Sequence, residues 1–369
     1  MESGEQILIG AVTDPASPPG AVSSHALEQM ARHRLAPLAW HTLTTSGHAA
    51  AWPAAIQLTL RRASAAQALV SDLLDAELRR VVAAAGDAGV RTLLIKGAAL
   101  AYTHYPRPHL RPRSDSDVVI HERDRDAIAR VLASLGYTRS DAVDGSLIMQ
   151  QLQWTLALTA GLVHAVDVHW RVFNPHLFGD VLSADDLLAR AVPLHGLGPH
   201  ALSPSGVDAL VLSCVHRVAH HAGEEDPVWD FDIHLLISSL ADDEAAAFAR
   251  RAAAANVRAV CAAGVASAKA RFGTRLPAEL ESFIEHAPHA REHTAAFLEP
   301  GRRQVDVLAS DLGALGSWRA RMALVRQHLF PPSHYVLKKY RRSSRAWLPL
   351  LYTRRILAGL PRWLRSQRS

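Results

Sequence analysis

At 369 residues the chain exceeds what one compact core comfortably holds, and at ~100–200 residues per domain it should pack as two or three units. Hydrophobic residues make up 49% and charged residues 20%, which suits a globular protein and excludes wholesale disorder. The net charge of +5 conceals an opposition: residues 319–369 carry 13 Lys and Arg and no acid, leaving 27 basic against 35 acidic side chains, or −8, in the rest.

From Ser24 to about Leu60 the apolar spacing is helical, interrupted by Pro37 and Pro53, and predicts a small helical subdomain over 1–67. Val70, Leu73, Leu74, Leu78, Val81 and Val82 then form one stripe of a helix over 68–85, ended by Gly86 and Gly89. Thr92–Ile95 reads as a short buried strand, closed by Lys96-Gly97 and followed by a helix-prone run. A Pro- and Arg-rich loop, 106–113, leads into Ser114-Asp115-Ser116-Asp117 and the strand-like Val118-Val119-Ile120. A further helix carries Ile128, Val131, Leu132 and Leu135 on one face, with Gly136 as its stop.

The long uncharged run 145–166 raises the question of a membrane span. Gln150, Gln151, Gln153, Thr155, Thr159 and Gly161 make it too polar for the ~20 apolar residues a span takes, so no transmembrane segment is expected. Residues 154–159 and 162–172 instead flank Ala160-Gly161 as a hairpin, whose second arm carries Asp167-Val168-His169-Trp170. Beyond Pro175 strand signals are scarce, and the Ala- and Leu-rich text reads as mainly helical. Two cysteines, Cys214 and Cys261, cannot build a disulfide framework, and the N-terminus lacks a signal-peptide pattern. A cytoplasmic location is the expectation.

The chemistry-bearing pattern is Asp115-x-Asp117 at the head of one strand with Asp167 in another. Strand side chains alternate faces, so acids two apart project together and can share a divalent ion. Mg2+ takes carboxylate, water and phosphate oxygens. A third carboxylate on a neighbouring strand suits two ions ~3.5–4 Å apart, an arrangement for in-line displacement at phosphorus. A lone DxD equally fits a turn residue followed by a solvated edge acid. Lys96-Gly97, where strand becomes helix, offers backbone N–H groups and a cation to a phosphate, or is an ordinary turn that needs glycine.

The string Leu94-Ile95-Lys96-Gly97-Ala98-Ala99-Leu100 is followed by Tyr105-Pro106, then Leu110-Arg111-Pro112-Arg113-Ser114-Asp115-Ser116-Asp117, then Leu135-Gly136-Tyr137 and Asp167-Val168-His169-Trp170. Together they resemble an uncharacterised nucleotidyltransferase family of bacteria, within the DNA polymerase β-like superfamily. Leu202-Ser203-Pro204, His216 and Trp229-Asp230-Phe231-Asp232-Ile233 are similar to its helical second half, so the likeness spans roughly 24–300. The resemblance implies that Asp115, Asp117 and Asp167 hold two Mg2+ ions, with Mn2+ as a substitute, and that Asp167 is the base for the attacking hydroxyl. It implies that Gly97 lets the backbone approach the triphosphate, and that Lys96 and Arg111 neutralise phosphate charge. The superfamily's Gly-Ser at this turn is Gly97-Ala98 here, so nucleotide contact would lean on backbone and Lys96.

Other constellations compete weakly. His216-x-x-x-His220, beside His221, has a metal-ligand spacing, but a zinc protease would need Glu where Arg217 stands. Asp230-x-Asp232 lies in helical text, where residues two apart diverge by ~200°, so Asp232 is expected to partner a buried Arg or His. The basic 319–369 segment interleaves Arg/Lys pairs with Tyr335, Tyr340, Trp347, Tyr352 and Trp363. It fits a helical appendage packed on the acidic body, a nucleic-acid contact or an anionic membrane surface.

The expectation is therefore an α+β protein. A 1–67 helical subdomain precedes a 68–175 catalytic core with a small mixed sheet, a 176–318 helical domain and a 319–369 basic segment. Its expected activity is Mg2+-dependent transfer of NMP from an NTP to a hydroxyl-type acceptor (RNA, protein or small molecule) with release of pyrophosphate. The alternatives are a non-catalytic nucleotide- or RNA-binding accessory protein and a peripheral membrane-associated scaffold.

Overall fold

The computed structural model describes residues 2–140, 151–219, 226–287, 292–299 and 303–364. Among them are sixteen α-helices and one seven-stranded mixed sheet, an α+β architecture. The strands are β1 (Thr92–Leu94), β2 (Ser116–Val119), β3 (Thr138–Arg139), β4 (Gln151–Ala157), β5 (Val163–His169), β6 (Val192–Pro193) and β7 (Ala201–Ser203). Their spatial order is β3-β4-β5-β2-β1-β7-β6. β4 and β5 form the expected antiparallel hairpin, so residues 151–157 and 163–166 of the uncharged run are sheet, joined by a short turn over 158–162. Residues 145–150 of that run lie outside the described residues. No described helix is long and apolar enough to cross a membrane.

Strand alternation divides the sheet into two faces. Leu94, Val118, Val166 and Val168 join Leu78, Val82, Ile128 and Leu132 in one apolar layer beneath the helices Ala54–Asp87 and Arg125–Ser134. Leu93 and Val119 point the other way, into a larger layer with Leu210, Phe231, Phe248 and Phe272 of the helical half. Asp117 shares the parity of Val119, so its side chain projects toward that helical half. This parity decides where the site lies.

The helix expected over 68–85 runs unbroken from Ala54 to Asp87, because Pro53 sits at its N-cap, where no helical N–H is required. The expected division at 67 thus falls inside one helix. Ile7, Leu8, Met30 and Leu43 of the N-terminal helices also share the large apolar layer with residues 206–272. β6 and β7 add a parallel neighbour to β1, with Thr92 beside Ala201 and Leu93 beside Leu202. Two- and three-residue strands are too short for alternation to show in sequence, and Pro193 is tolerated because β6 is an edge.

On the face away from Asp117, the His164 ring is held between Ser116 Oγ, 3.2 Å from Nε2, and the Tyr137 hydroxyl at Nδ1. Burial, with Arg113 adding repulsion, lowers its pKa from 6.5 to about 4. The unfolded chain binds a proton near 6.5 that the folded chain refuses. Stability present above that value is therefore lost as pH falls toward about 4. Urea midpoints should rise with pH across this window, and the His164 ring resonances should stay neutral until its lower edge.

Candidate functional site

β2 and β5 are parallel neighbours with Asp117 directly beside Asp167 and Val119 beside His169. Period-two alternation puts Asp117, Asp167 and His169 on one face, and their ligand atoms all lie within 4.8 Å of one another. β1 runs antiparallel to β2, and the Ile95 N–H donates to the Asp117 carbonyl (3.1 Å), which brings Lys96 over the same spot. Lys96 is the first residue of the Lys96–Thr103 helix and holds φ at 55°, a left-handed backbone unusual for a side-chain-bearing residue. Its ammonium donates to Asp117 Oδ1 at 2.8 Å, and His169 Nε2–H donates to the same oxygen at 2.8 Å.

These contacts separate the carboxylates electrostatically. Burial opposes the Asp117 charge, but Lys96 and the His169 hydrogen bond outweigh it and hold this carboxyl far below the usual range. Asp167 is pushed up, by burial and then by the Asp117 charge. Asp115 is pushed up by burial and by both other acids. Three acids thus face a shallow cleft of about 240 Å³ that Lys96, Gly97 and Ala98 also line.

Three arginines line this cleft too, but each is committed to an acid. Arg34 pairs with Asp226 at the N-cap of the Pro227–Ser238 helix (2.5 Å), and Arg113 with buried Asp75 (2.6 Å). Arg111 and Asp232 are 4% and 5% exposed, and the guanidinium grips the carboxylate through Nε and Nη2 while Nη1 donates to the Pro112 carbonyl. The Tyr105 hydroxyl donates to Asp232 as well, at 2.8 Å. Among the described cleft-lining residues, Lys96 is the one ammonium or guanidinium whose acid partner belongs to the carboxylate group itself. The arginine grip expected on phosphate is spent, in this structure, on Asp232.

The donor set fits a divalent cation. Asp167 Oδ1 is buried without a hydrogen-bond partner among the described residues, an expensive state for a carboxylate. Both protein donors to Asp117 converge on Oδ1, leaving Oδ2 for the cleft. Carboxylate oxygens suit Mg2+ and equally admit Mn2+. A larger cavity of about 900 Å³ lies elsewhere, lined by Leu177, Ala295, Leu298 and Ala309. Its Glu292 is occupied in accepting the Arg258 and Ala259 N–H groups.

The sequence profile of a family described as an uncharacterised nucleotidyltransferase matches residues 21–273. The chain belongs to that family. A search of the curated proteins finds no match. The region matched by the family contains the sheet, the Lys96-Gly97 turn, all three acids and the helical wall of the cleft, and it ends before the basic C-terminal segment.

Of the residues singled out by sequence, Lys96, Gly97, Asp115, Asp117, Asp167 and Arg111 all border one cleft. Asp115 precedes β2 and stays outside the closest ligand group, where His169 stands instead. His169 has the same parity as Asp167, and that spacing was the available signal. Gly97 has a reason beyond backbone approach: a Cβ there would lie 3.2 Å from the Arg111 guanidinium. On the Pro227–Ser238 helix, Asp230 faces Arg217 (3.1 Å) and Arg271, whereas Asp232 faces Arg111, the divergence expected of a helix. His216 lines the cleft edge-on to Trp229, ring centroids 5.8 Å apart. His220 and His221 lie outside the described residues.

Two measurements probe this arrangement. Asp232→Ala leaves a buried guanidinium unpaired and should lower the unfolding free energy by about 3–5 kcal/mol in urea titrations. Mn2+ binding followed by calorimetry should weaken by more than about tenfold in Asp117→Asn and in Asp167→Asn, with the circular dichroism spectrum unchanged.

Proposed function

We propose that this protein is a Mg2+-dependent nucleotidyltransferase that moves an NMP from an NTP to a hydroxyl-type acceptor and releases pyrophosphate. The observation that carries the reading is the register pairing of Asp117 with Asp167, whose Oδ1 has no hydrogen-bond partner among the described residues, beside a helix N-terminus headed by Lys96. Buried like charges set side by side call for a cation, and a helix N-terminus next to them calls for an anion. A metal-bound nucleoside triphosphate supplies both.

In this reading Asp115, Asp117 and Asp167 hold the ions, and His169 with Lys96 keeps Asp117 ionised and oriented. Bound divalent ions neutralise phosphate charge and favour in-line displacement. The Gly97 and Ala98 N–H groups and the Lys96 ammonium receive the phosphates. Arg111 acts from beneath, through the position of Gly97 and its positive field. Asp167, whose carboxyl is raised above the ordinary range, takes the proton of the acceptor hydroxyl. The hydroxyl oxygen bonds to the α-phosphorus, the bond from that phosphorus to the bridging oxygen breaks, and pyrophosphate leaves with the electron pair. Trp229 and His216 also line the cleft, edge to face with each other.

The test is incubation of the purified chain with Mg2+, each α-labelled NTP in turn, and RNA, protein or small-molecule extract. Label should appear on one acceptor class. Asp167→Asn should cut the rate by about 10²–10⁴-fold, the usual range for loss of a general base. Metal-dependent NTP binding with no label transfer under any condition would assign the chain to an accessory, non-catalytic role.

A further inference from the structure

The basic C-terminal segment is unused by the site, and its surface is unlike the rest of the molecule. Among the described residues, six of the eleven large apolar side chains that the fold leaves exposed fall between Trp318 and Leu357. The helix Leu348–Leu364 is anchored through one side: Leu351 is buried, the Tyr352 hydroxyl donates to the Pro331 carbonyl (2.8 Å), and Arg355 donates to the His328 carbonyl (2.7 Å), while Arg354 on another side reaches over the Tyr340 ring. Leu350 and Leu357, seven residues apart and so on one face, are 58% and 66% exposed, with Arg354 exposed between them. Trp347, 42% exposed, extends this face at its N-terminal end.

The charge on this surface is uncompensated. Residues 319–369 contain no acid, and exposed Arg341, Arg342, Arg345 and Arg354 make no ion pair with a carboxylate among the described residues. The segment is therefore not simply neutralised against the acidic body. We propose that this helix docks the protein peripherally on an anionic phospholipid surface, with Leu350 and Leu357 entering the headgroup boundary and the surrounding arginines meeting lipid phosphates. The helix itself favours lipid over nucleic acid. Base stacking needs open aromatic faces, and the exposed rings of the segment, Trp318, Phe330 and Trp347, all lie outside this helix. Among its described side chains the exposed large apolar groups are Leu350 and Leu357, which insert among acyl chains and cannot stack on bases.

The test uses the full chain in flotation with vesicles of phosphatidylcholine alone and of phosphatidylcholine mixed with phosphatidylglycerol. Binding should require the anionic lipid and weaken with salt. The double variant Leu350→Glu, Leu357→Glu alters only exposed positions and should bind at least about tenfold more weakly, because it removes apolar insertion and adds repulsion. Its helical spectrum and metal binding should match those of the wild type. No anionic-vesicle binding by the wild type, or equal binding by the double variant, overturns the proposal. So does single-stranded RNA that binds both proteins equally and strips the wild type from vesicles, which would assign the surface to nucleic acid.

Discussion

Two carboxylates set side by side on adjacent parallel strands are the constraint around which this molecule is arranged. The Asp117–Asp167 register places like charges on a buried sheet face, where low polarizability magnifies their repulsion. Everything nearest to them answers that repulsion. The left-handed backbone of Lys96 aims an ammonium at Asp117, and His169 donates to the same oxygen. The outcome is asymmetric: one carboxyl is held firmly ionised while its neighbour is raised. An acid and base chemistry needs such a difference, and here environment alone creates it from two identical side chains.

The cleft has a second organising contact, the buried clasp between Arg111 and Asp232. It ties the loop preceding β2 to the Pro227–Ser238 helix, so the sheet wall and the helical wall keep a defined spacing. Gly97 belongs to the same arrangement, because a Cβ there would press on the guanidinium at 3.2 Å and push the pair apart by a few tenths of an ångström. A buried ion pair contributes little net stability, but removing one partner is costly. The conformation of the turn and the position of the helical wall are thus coupled through one side-chain pair.

Much of this was legible in the residue order. The strand–turn–helix at 92–103, the hairpin around Gly161 and the Asp115-x-Asp117 motif all stand where periodicity and turn chemistry indicate, since each is a local signal of a few residues. β7 was not legible: three residues carry no period, and their strand character comes from pairing with β1. The helix from Ala54 was underestimated for a related reason. Proline at an N-cap reads like a break. The family resemblance casts Arg111 as a phosphate ligand, yet its partner lies 121 residues away in sequence, and no local pattern announces such a contact.

By itself, then, the sequence determined the α+β class, the family, the acidic motif and the separation of an acidic body from a basic segment, because these depend on composition and on neighbours along the chain. Tertiary structure alone decided which acids meet, that His169 joins them, that the cleft arginines are already paired, and that the last helix of the basic segment leaves Leu350 and Leu357 exposed. Those outcomes depend on strand register, face parity and long-range pairing. Each changes completely with a shift of one residue or with the choice of a distant partner, and neither is written in the local order of side chains.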